Sequence, residues 1–173
     1  MALTKVTGLG LGTLDDNITF STAGKGLHLG VTSATSSNLL DDYEQGTFTP
    51  IYTAVSSGGS VAYSYQTGTY TKIGRLCRFW FDFNITSASG MSGNPQINLP
   101  FTSSASSATD YGSFTPWEVE NNFTGSKHAT MYINANSNVM NMYAWTGDTN
   151  DGHVILAINT TGRISGGVMY MTA

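Results

Sequence analysis

Charge is scarce in this sequence, and no part of the chain concentrates positive charge. Charged residues make up 10% of the 173 residues, against about a quarter in an average protein. The seven Lys and Arg residues are spread from Lys5 to Arg163, and the net charge is −4. This excludes a positive stripe that could neutralise phosphates, so we expect no nucleic-acid partner.

Cysteine and long apolar runs are also missing. Cys77 is the single cysteine, which excludes an internal disulfide and any zinc site built from several cysteines. No stretch approaches the ~18 apolar residues of a membrane-spanning helix, and the first residues lack the cationic start and apolar core of a signal peptide. We therefore expect no membrane span and no export signal.

Hydroxyl groups and glycine are abundant instead. Ser and Thr form about a quarter of the chain, and there are 20 glycines. Residues 1–37 carry glycines between isolated leucines, with neither a helical nor a strand period, which predicts an extended N-terminal arm. A disordered tail would leave these leucines exposed to water. We therefore expect them to anchor the arm on a neighbouring subunit or on the body. They are Leu9, Leu11, Leu14, Leu27 and Leu29.

Residues 38–173 have the character of a β-sheet body. In the clearest predicted strand, 76–85, apolar residues alternate with polar ones. The apolar residues are Cys77, Phe79, Phe81, Phe83 and Ile85, and the polar face carries Arg78, Trp80, Asp82 and Asn84. Weaker strands are predicted at 47–53, 69–73, 96–99, 129–135, 139–145, 153–158 and 167–172.

Turn-forming residues separate these strands at 57–59, 134–138, 150–152 and 161–162. The nearest approach to a helix is 117–123, which follows Pro116 and is long enough for one turn. The predicted fold class is all-β: an antiparallel β-sandwich or jelly roll with an extended N-terminal arm.

Aromatic residues exceed the needs of one modest core. The chain has nine Tyr, eight Phe and three Trp. Tyr63, Tyr65 and Tyr70 lie in a hydroxyl-rich segment, and Trp80 lies on the polar face of the best strand. Such side chains offer contact area together with a polar group, so all four are candidate contacts for a partner or a glycan. Ordinary cross-strand packing is the alternative for each of them.

No residue pattern points clearly to catalysis or to a cofactor. The three histidines have no metal-ligand spacing. Asp82, Glu118 and Glu120 are the carboxylates that a glycan hydrolase could use, but the sequence fixes no distance between them. Solvated surface acids are the simpler interpretation. We predict no catalytic, cofactor or metal site.

The acidic cluster Asp41, Asp42 and Glu44 is open to two interpretations. Carboxylate oxygens are ligands for a hard cation. The same residues can instead cap a turn near Asn38.

Several segments together resemble a β-domain of tail-fibre-like and other surface proteins of tailed bacteriophages, particularly phages of aquatic bacteria. The segments are NLLDDYEQGTFTP at 38–50, GTYTKIG at 68–74, NLPF at 98–101 and ISGGVMYMTA at 164–173, and the openings MALTKVT at 1–7 and FSTAGKG at 20–26 are similar too. Two positions depart from the usual pattern: Gln45 stands where a second glutamate is common, and Phe48 where tryptophan is.

The resemblance implies a non-enzymatic structural protein of the virion surface, made in the host cytoplasm. We expect a head decoration, or cement, protein that forms a homotrimer and contacts other virion proteins such as the major capsid protein or tail components. The alternative is a tail-fibre or short-fibre subunit that recognises host surface polysaccharide. A glycan hydrolase is the third possibility.

Overall fold

The computed structural model describes residues 19–31, 33, 35–105, 113–119, 128–145, 154–155 and 160–173. The chain divides into two units, Met1–Asp41 and Asp42–Ala173. In the described part of the chain no helix has the length and apolarity needed to cross a membrane.

The first unit contains a small antiparallel strand pair. Strand β1 (Leu27–His28) pairs with β2 (Leu39–Leu40), and a 3-10 turn, Ser36–Asn38, lies between them. The Thr35 hydroxyl donates a hydrogen bond of 2.8 Å to Asn38 Oδ1 at this turn. Two of the predicted anchoring leucines, Leu27 and Leu29, are 47% and 55% exposed. The other three, Leu9, Leu11 and Leu14, lie outside the described residues.

The second unit contains ten described strands in two sheets. They are β3 (Tyr43–Phe48), β4 (Tyr52–Ala54), β5 (Ser57–Ile73), β6 (Leu76–Ser92), β7 (Pro95–Asn98), β8 (Ser113–Val119), β9 (His128–Ile133), β10 (Val139–Trp145), β11 (Val154–Ile155) and β12 (Gly162–Met171). The first sheet has the order β3-β5-β6-β12-β8. The second has the order β11-β10-β7-β4, with β9 also paired to β10.

All described strand pairs in both sheets are antiparallel. Side chains of the two sheets meet in one hydrophobic cluster, which makes the unit a sandwich. The prediction of an all-β antiparallel fold of the sandwich type is therefore confirmed.

Strand β6 supplies the centre of the core, as its period of two predicts. All five of its predicted core residues are 3% exposed or less, whereas Arg78 and Trp80 on the other face are exposed. The rings of Phe81 and Phe83 stack at 5.9 Å, and Tyr52 from the second sheet packs on Phe83 at 5.9 Å. Aromatic packing across the two sheets therefore joins them.

Strands β5 and β6 form a hairpin of two 17-residue strands, longer than the sequence predicts. The predicted turn at 57–59 lies inside β5, where Ser57 pairs with Ser92 and Gly58 with Met91. Two irregularities, between Ala62 and Tyr63 and between Tyr63 and Tyr65, interrupt the register. The Ser/Gly-rich part of β5 has little strand propensity of its own. It forms a strand because it pairs with the similar part of β6.

The strand predicted at 47–53 is two strands that belong to different sheets. Strand β3 ends at Phe48 and β4 begins at Tyr52, with buried Pro50 at the corner between them. Proline cannot donate to a sheet ladder, so the chain leaves the first sheet there. The corner is held by side-chain amides: Ile51 N–H donates to Asn98 Oδ1 at 2.6 Å, and Gln66 Nε2 donates to the Pro50 carbonyl at 2.6 Å.

The segment 117–123, the nearest approach to a helix in the sequence, is strand in its first part, because Trp117–Val119 belongs to strand β8. Pro116 is tolerated in β8 because this strand lies at the edge of the sheet and has a register shift opposite Ser165 and Gly166. Residues 120–123 lie outside the described part of the chain.

Candidate binding surface

The outer face of the first sheet, which points away from the core, carries the exposed side chains of the best predicted strand. Antiparallel pairing lines residues up in rows across this face. One row runs Thr47, Thr69, Trp80, Gly167, and the next runs Gln45, Thr71, Arg78, Met169. In-register neighbours on one face of a sheet lie close enough for their side chains to act together.

Trp80 is the largest exposed side chain of these two rows, at 43% exposure. Its ring lies against Gly167, where an added Cβ would come within 2.8–2.9 Å of ring atoms. The Arg78 guanidinium lies over the indole, with Cζ 5.1 Å from the ring centroid. A glycine at 167 therefore makes room for the ring on the sheet, and the ring in turn supports the arginine.

A shallow groove follows these rows. Its volume is about 510 Å³, and we call it the outer groove. Its lining includes Gln45, Thr47, Thr69, Thr71, Arg78 and Trp80. The volume lies within the range of about 300–1,000 Å³ typical of small-molecule sites.

A second cluster on the outer face surrounds Asp82. The Arg163 guanidinium donates two hydrogen bonds to the carboxylate, at 2.9 and 2.7 Å, and Tyr65 Oη donates a third at 3.1 Å. The hydrogen-bonded Arg163 lowers the pKa of the Asp82 carboxyl below its ordinary value of 3.8. At neutral pH Asp82 is therefore ionised, a state that does not suit a general acid.

Strand register relates this cluster to one other candidate carboxylate. Asp82 and Glu118 are both partners of Ser165, on opposite sides of β12. Their backbones are thus two strand spacings, or about 10 Å, apart. Ser165 is 5% exposed and its hydroxyl has no described hydrogen-bond partner. Glu120 lies outside the described residues.

Two of the four predicted contact aromatics turn inward. Tyr63 packs edge-on against Phe83 at 5.8 Å, and its hydroxyl bonds to both backbone groups of Tyr52. Tyr70 packs edge-on against Phe101 at 4.9 Å and donates to Glu44 at 2.5 Å. Tyr65 and Trp80, by contrast, lie on the outer face. The register irregularities around Tyr63 in β5 separate Tyr63 from Tyr65, and period-two reasoning does not reveal such irregularities.

The segments that resemble phage surface proteins meet around Phe101. Tyr70 comes from the segment at 68–74, Phe101 from 98–101 and Tyr170 from 164–173. The Tyr170 hydroxyl donates to the Phe101 carbonyl at 2.8 Å, and Phe101 N–H donates to that hydroxyl at 3.1 Å. Lys72 lies over the Phe101 ring and forms an ion pair with Asp42 of the segment at 38–50. These residues therefore have packing and hydrogen-bonding roles within the body.

Two residues of the acidic cluster, Asp42 and Glu44, interact with other side chains of the same unit. Asp42 pairs with Lys72, and Glu44 accepts from Tyr70. Within the described ranges no group of three His, Cys, Asp or Glu residues is placed to hold a metal ion. Cys77 is buried, and burial raises the pKa of its thiol, which disfavours the reactive thiolate.

Sequence reasoning missed a groove of about 440 Å³ on the second sheet. Gln96 Nε2 donates to Asn141 Oδ1 at 2.9 Å, and Asn94 Oδ1 is buried without a described partner. Gln96 and Asn141 alternate with buried apolar residues in β7 and β10, and that alternation is the signal that could have placed them on one face. Their pairing across strands is a tertiary feature.

Comparison with solved structures finds a likeness to the Dettilon tailspike protein (gp208). The TM-score is 0.55 and the sequences are 22% identical. The likeness concerns the fold. It covers 75% of this chain, whereas the chain spans only 24% of that protein. No family model and no curated protein matches the sequence.

Proposed function

We propose that this chain is a structural protein of a tailed-phage virion and that it belongs to the tail. The observation that carries the proposal is the fold likeness to part of a tailspike protein. It agrees with the resemblance of the segments at 38–50, 68–74, 98–101 and 164–173 to phage surface proteins. The likeness in fold and the resemblance in sequence both support the same class of protein.

The proposal includes self-association as a homotrimer and contact with other virion proteins. Contiguous exposed apolar side chains favour such contacts, because monomeric proteins rarely expose large apolar patches. Tyr43, Ile73 and Leu76 form one such row across β3, β5 and β6, each more than 40% exposed. Sedimentation of the purified chain measures the oligomeric state, and a monomer at all concentrations would remove this part of the proposal.

The virion location is tested by labelling particles with an antibody against the chain. Labels confined to the tail are the expected result. Uniform labelling of the head would assign the chain to head decoration, the first expectation from the sequence, and would overturn the tail location. Absence of label from intact and disrupted particles would overturn the virion role as a whole.

The proposal also holds that the chain is not an enzyme. Asp82 is engaged by Arg163 and Tyr65, which supports a structural role for this carboxylate. We expect no oligosaccharide release when purified protein is incubated with host surface polysaccharide. Removal of a general acid or base costs a hydrolase about 10²–10⁴-fold in rate. Release that is lost in Asp82→Asn, Glu118→Gln or Glu120→Gln would therefore establish the hydrolase instead.

A further inference from the structure

The outer groove contains Arg78, which has no charge partner in the part of the chain that the structure describes. The described ion pairs of this unit are Lys72 with Asp42 and Arg163 with Asp82. Among the residues that the structure describes, no carboxylate lies within ion-pair distance of Arg78. Its guanidinium lies over the Trp80 ring. A ligand with a negative group would therefore complement this position, and Arg favours carboxylates because of its planar array of donors.

The rest of the groove combines hydrogen-bonding groups with the exposed ring of Trp80, and Tyr70 also lines it. Thr47, Thr69 and Thr71 contribute hydroxyl groups with no described hydrogen-bond partner, and Gln45 accepts one bond, from Tyr43 at 3.1 Å. A ligand that is rich in hydroxyl groups can use these donors and acceptors. Trp80 offers an amphipathic surface beside them, suited to a ring with an apolar face.

The row of exposed apolar residues next to the groove does not line it. Tyr43, Ile73 and Leu76 occupy the next row, towards the turn at Gly74, and do not line the groove. A protein partner seated on the groove would have to satisfy or bury the threonine hydroxyls, and buried polar groups without partners are costly. The lining therefore favours a polyhydroxylated ligand over a protein surface.

We propose that the outer groove binds an acidic saccharide, with Trp80 as the platform for a sugar ring and Arg78 as the partner of the sugar carboxylate. Thr47, Thr69, Thr71 and Gln45 bond to the hydroxyl groups. The biological meaning of this site, recognition of an acidic polysaccharide outside the virion, rests on the proposed virion role. The binding itself does not.

The test measures binding of uronic-acid oligosaccharides to the full chain by calorimetry. The probes are oligomers of galacturonate, mannuronate and guluronate of defined length, each beside its methyl ester, which keeps the shape and removes the charge. At least one acid should bind at least about ten-fold more tightly than its ester, because the ester cannot form the charged hydrogen bond with Arg78. Its affinity should fall as salt is added. Binding of no acid, or equal binding of acid and ester, would overturn the proposal.

Variants assign the binding to the groove. Arg78→Gln should weaken binding of the acid about ten-fold while leaving the ester unaffected. Trp80→Ala should weaken binding of both acid and ester, and Thr69→Ala should weaken binding of both slightly. Thr67→Ala is the matched control, because Thr67 is an exposed threonine of the same strand that lies outside the groove. All four positions are exposed, so unchanged circular dichroism is expected and confirms that each variant is folded.

Two further results would contradict saccharide binding at the outer groove. Equal loss of binding in Thr67→Ala and Arg78→Gln would show that the groove is not the site. Dissociation of an oligomer by Trp80→Ala in sedimentation would show that a second copy covers the groove, and would also overturn the proposal. Particle labelling is independent of both experiments, so a failure of the virion proposal leaves the saccharide result interpretable.

Discussion

At the scale of single residues, two nearby tyrosines of β5 have different surroundings. Tyr63 faces the core, where its ring meets Phe83 and its hydroxyl bonds to Tyr52. Tyr65 faces outward, where its hydroxyl donates to Asp82. The difference arises because the strand is irregular between them.

Tyr63→Phe should destabilise the protein more than Tyr65→Phe. The first change removes the hydrogen bonds of 2.8 and 3.3 Å that join the Tyr63 hydroxyl to the backbone of Tyr52, in a partly buried place. We expect a loss of about 1–2 kcal/mol in the free energy of unfolding. Tyr65→Phe removes an exposed bond and should cost less than about 0.5 kcal/mol. Urea unfolding of both variants gives the comparison, and equal losses would contradict the assignment of Tyr63 to the interior.

Asp82→Asn should remove a pH-dependent part of the stability. Because Arg163 lowers the pKa of Asp82 in the folded state, this carboxylate stabilises the fold above its ordinary pKa of 3.8. The contribution is lost as the pH falls through the lowered folded pKa. The side chains of Asp82 and Arg163 are 27% and 37% exposed, so we expect about 0.5–1 kcal/mol at neutral pH.

Thermal unfolding of the parent and Asp82→Asn across pH measures this effect. The difference in unfolding temperature should be constant at neutral and mildly acidic pH and should shrink below about pH 4. A difference that stays constant down to about pH 2 would mean that the Arg163 pair makes no such contribution.

At the scale of elements, the corner between β3 and β4 depends on one side chain that is distant in sequence. Asn98 accepts from Ile51 N–H and donates to the Thr49 carbonyl at 3.1 Å, so it bonds to the chain on both sides of Pro50. This replaces the ladder hydrogen bonds that the chain loses where it leaves the first sheet.

Asn98→Ala should therefore destabilise the sandwich by about 1–2 kcal/mol. Asn84→Ala is the control, because Asn84 is also half-buried and donates a side-chain hydrogen bond, to the Ser64 hydroxyl at 2.9 Å, but this bond does not hold the backbone of a corner. Its cost should stay within about 0.5 kcal/mol. Denaturant unfolding compares the two, and similar losses would show that the corner does not depend on the Asn98 amide.

The sequence predicts strands best where one face of the strand is apolar, and it fails where neither face is apolar. Strand β10 has the predicted bounds, and the core face of β6 is as predicted. The Ser/Gly-rich halves of β5 and β6 carry no such signal, so they form strands because each pairs with the other. The chain's change of sheet at Pro50 depends on Asn98 and Gln66, which no local pattern connects to it.

At the scale of the whole molecule, the described hydrophobic core lies entirely within the second unit. Its buried members run from Tyr52 to Tyr170, and Phe48 packs against them. Deletion of residues 1–37 should therefore leave a folded β-body with an unchanged oligomeric state, while incorporation into particles is lost. Circular dichroism, sedimentation and particle assembly in a complementation assay measure these three properties. Aggregation of the truncated protein would show instead that the arm is part of the fold.

The sequence by itself determined the fold class and the face of each residue in β6, because an alternation of large apolar and polar side chains leaves one way to bury the apolar set. It also selected Trp80 as an exposed residue. Only the tertiary structure decided which aromatics face outward and what stands beside them. Tyr63 and Tyr65 are separated by an irregular register, and Trp80 meets Gly167 and Arg78 because separate strands pair. Such pairings join residues far apart in the chain. Their register depends on tertiary packing, which a local sequence pattern does not predict.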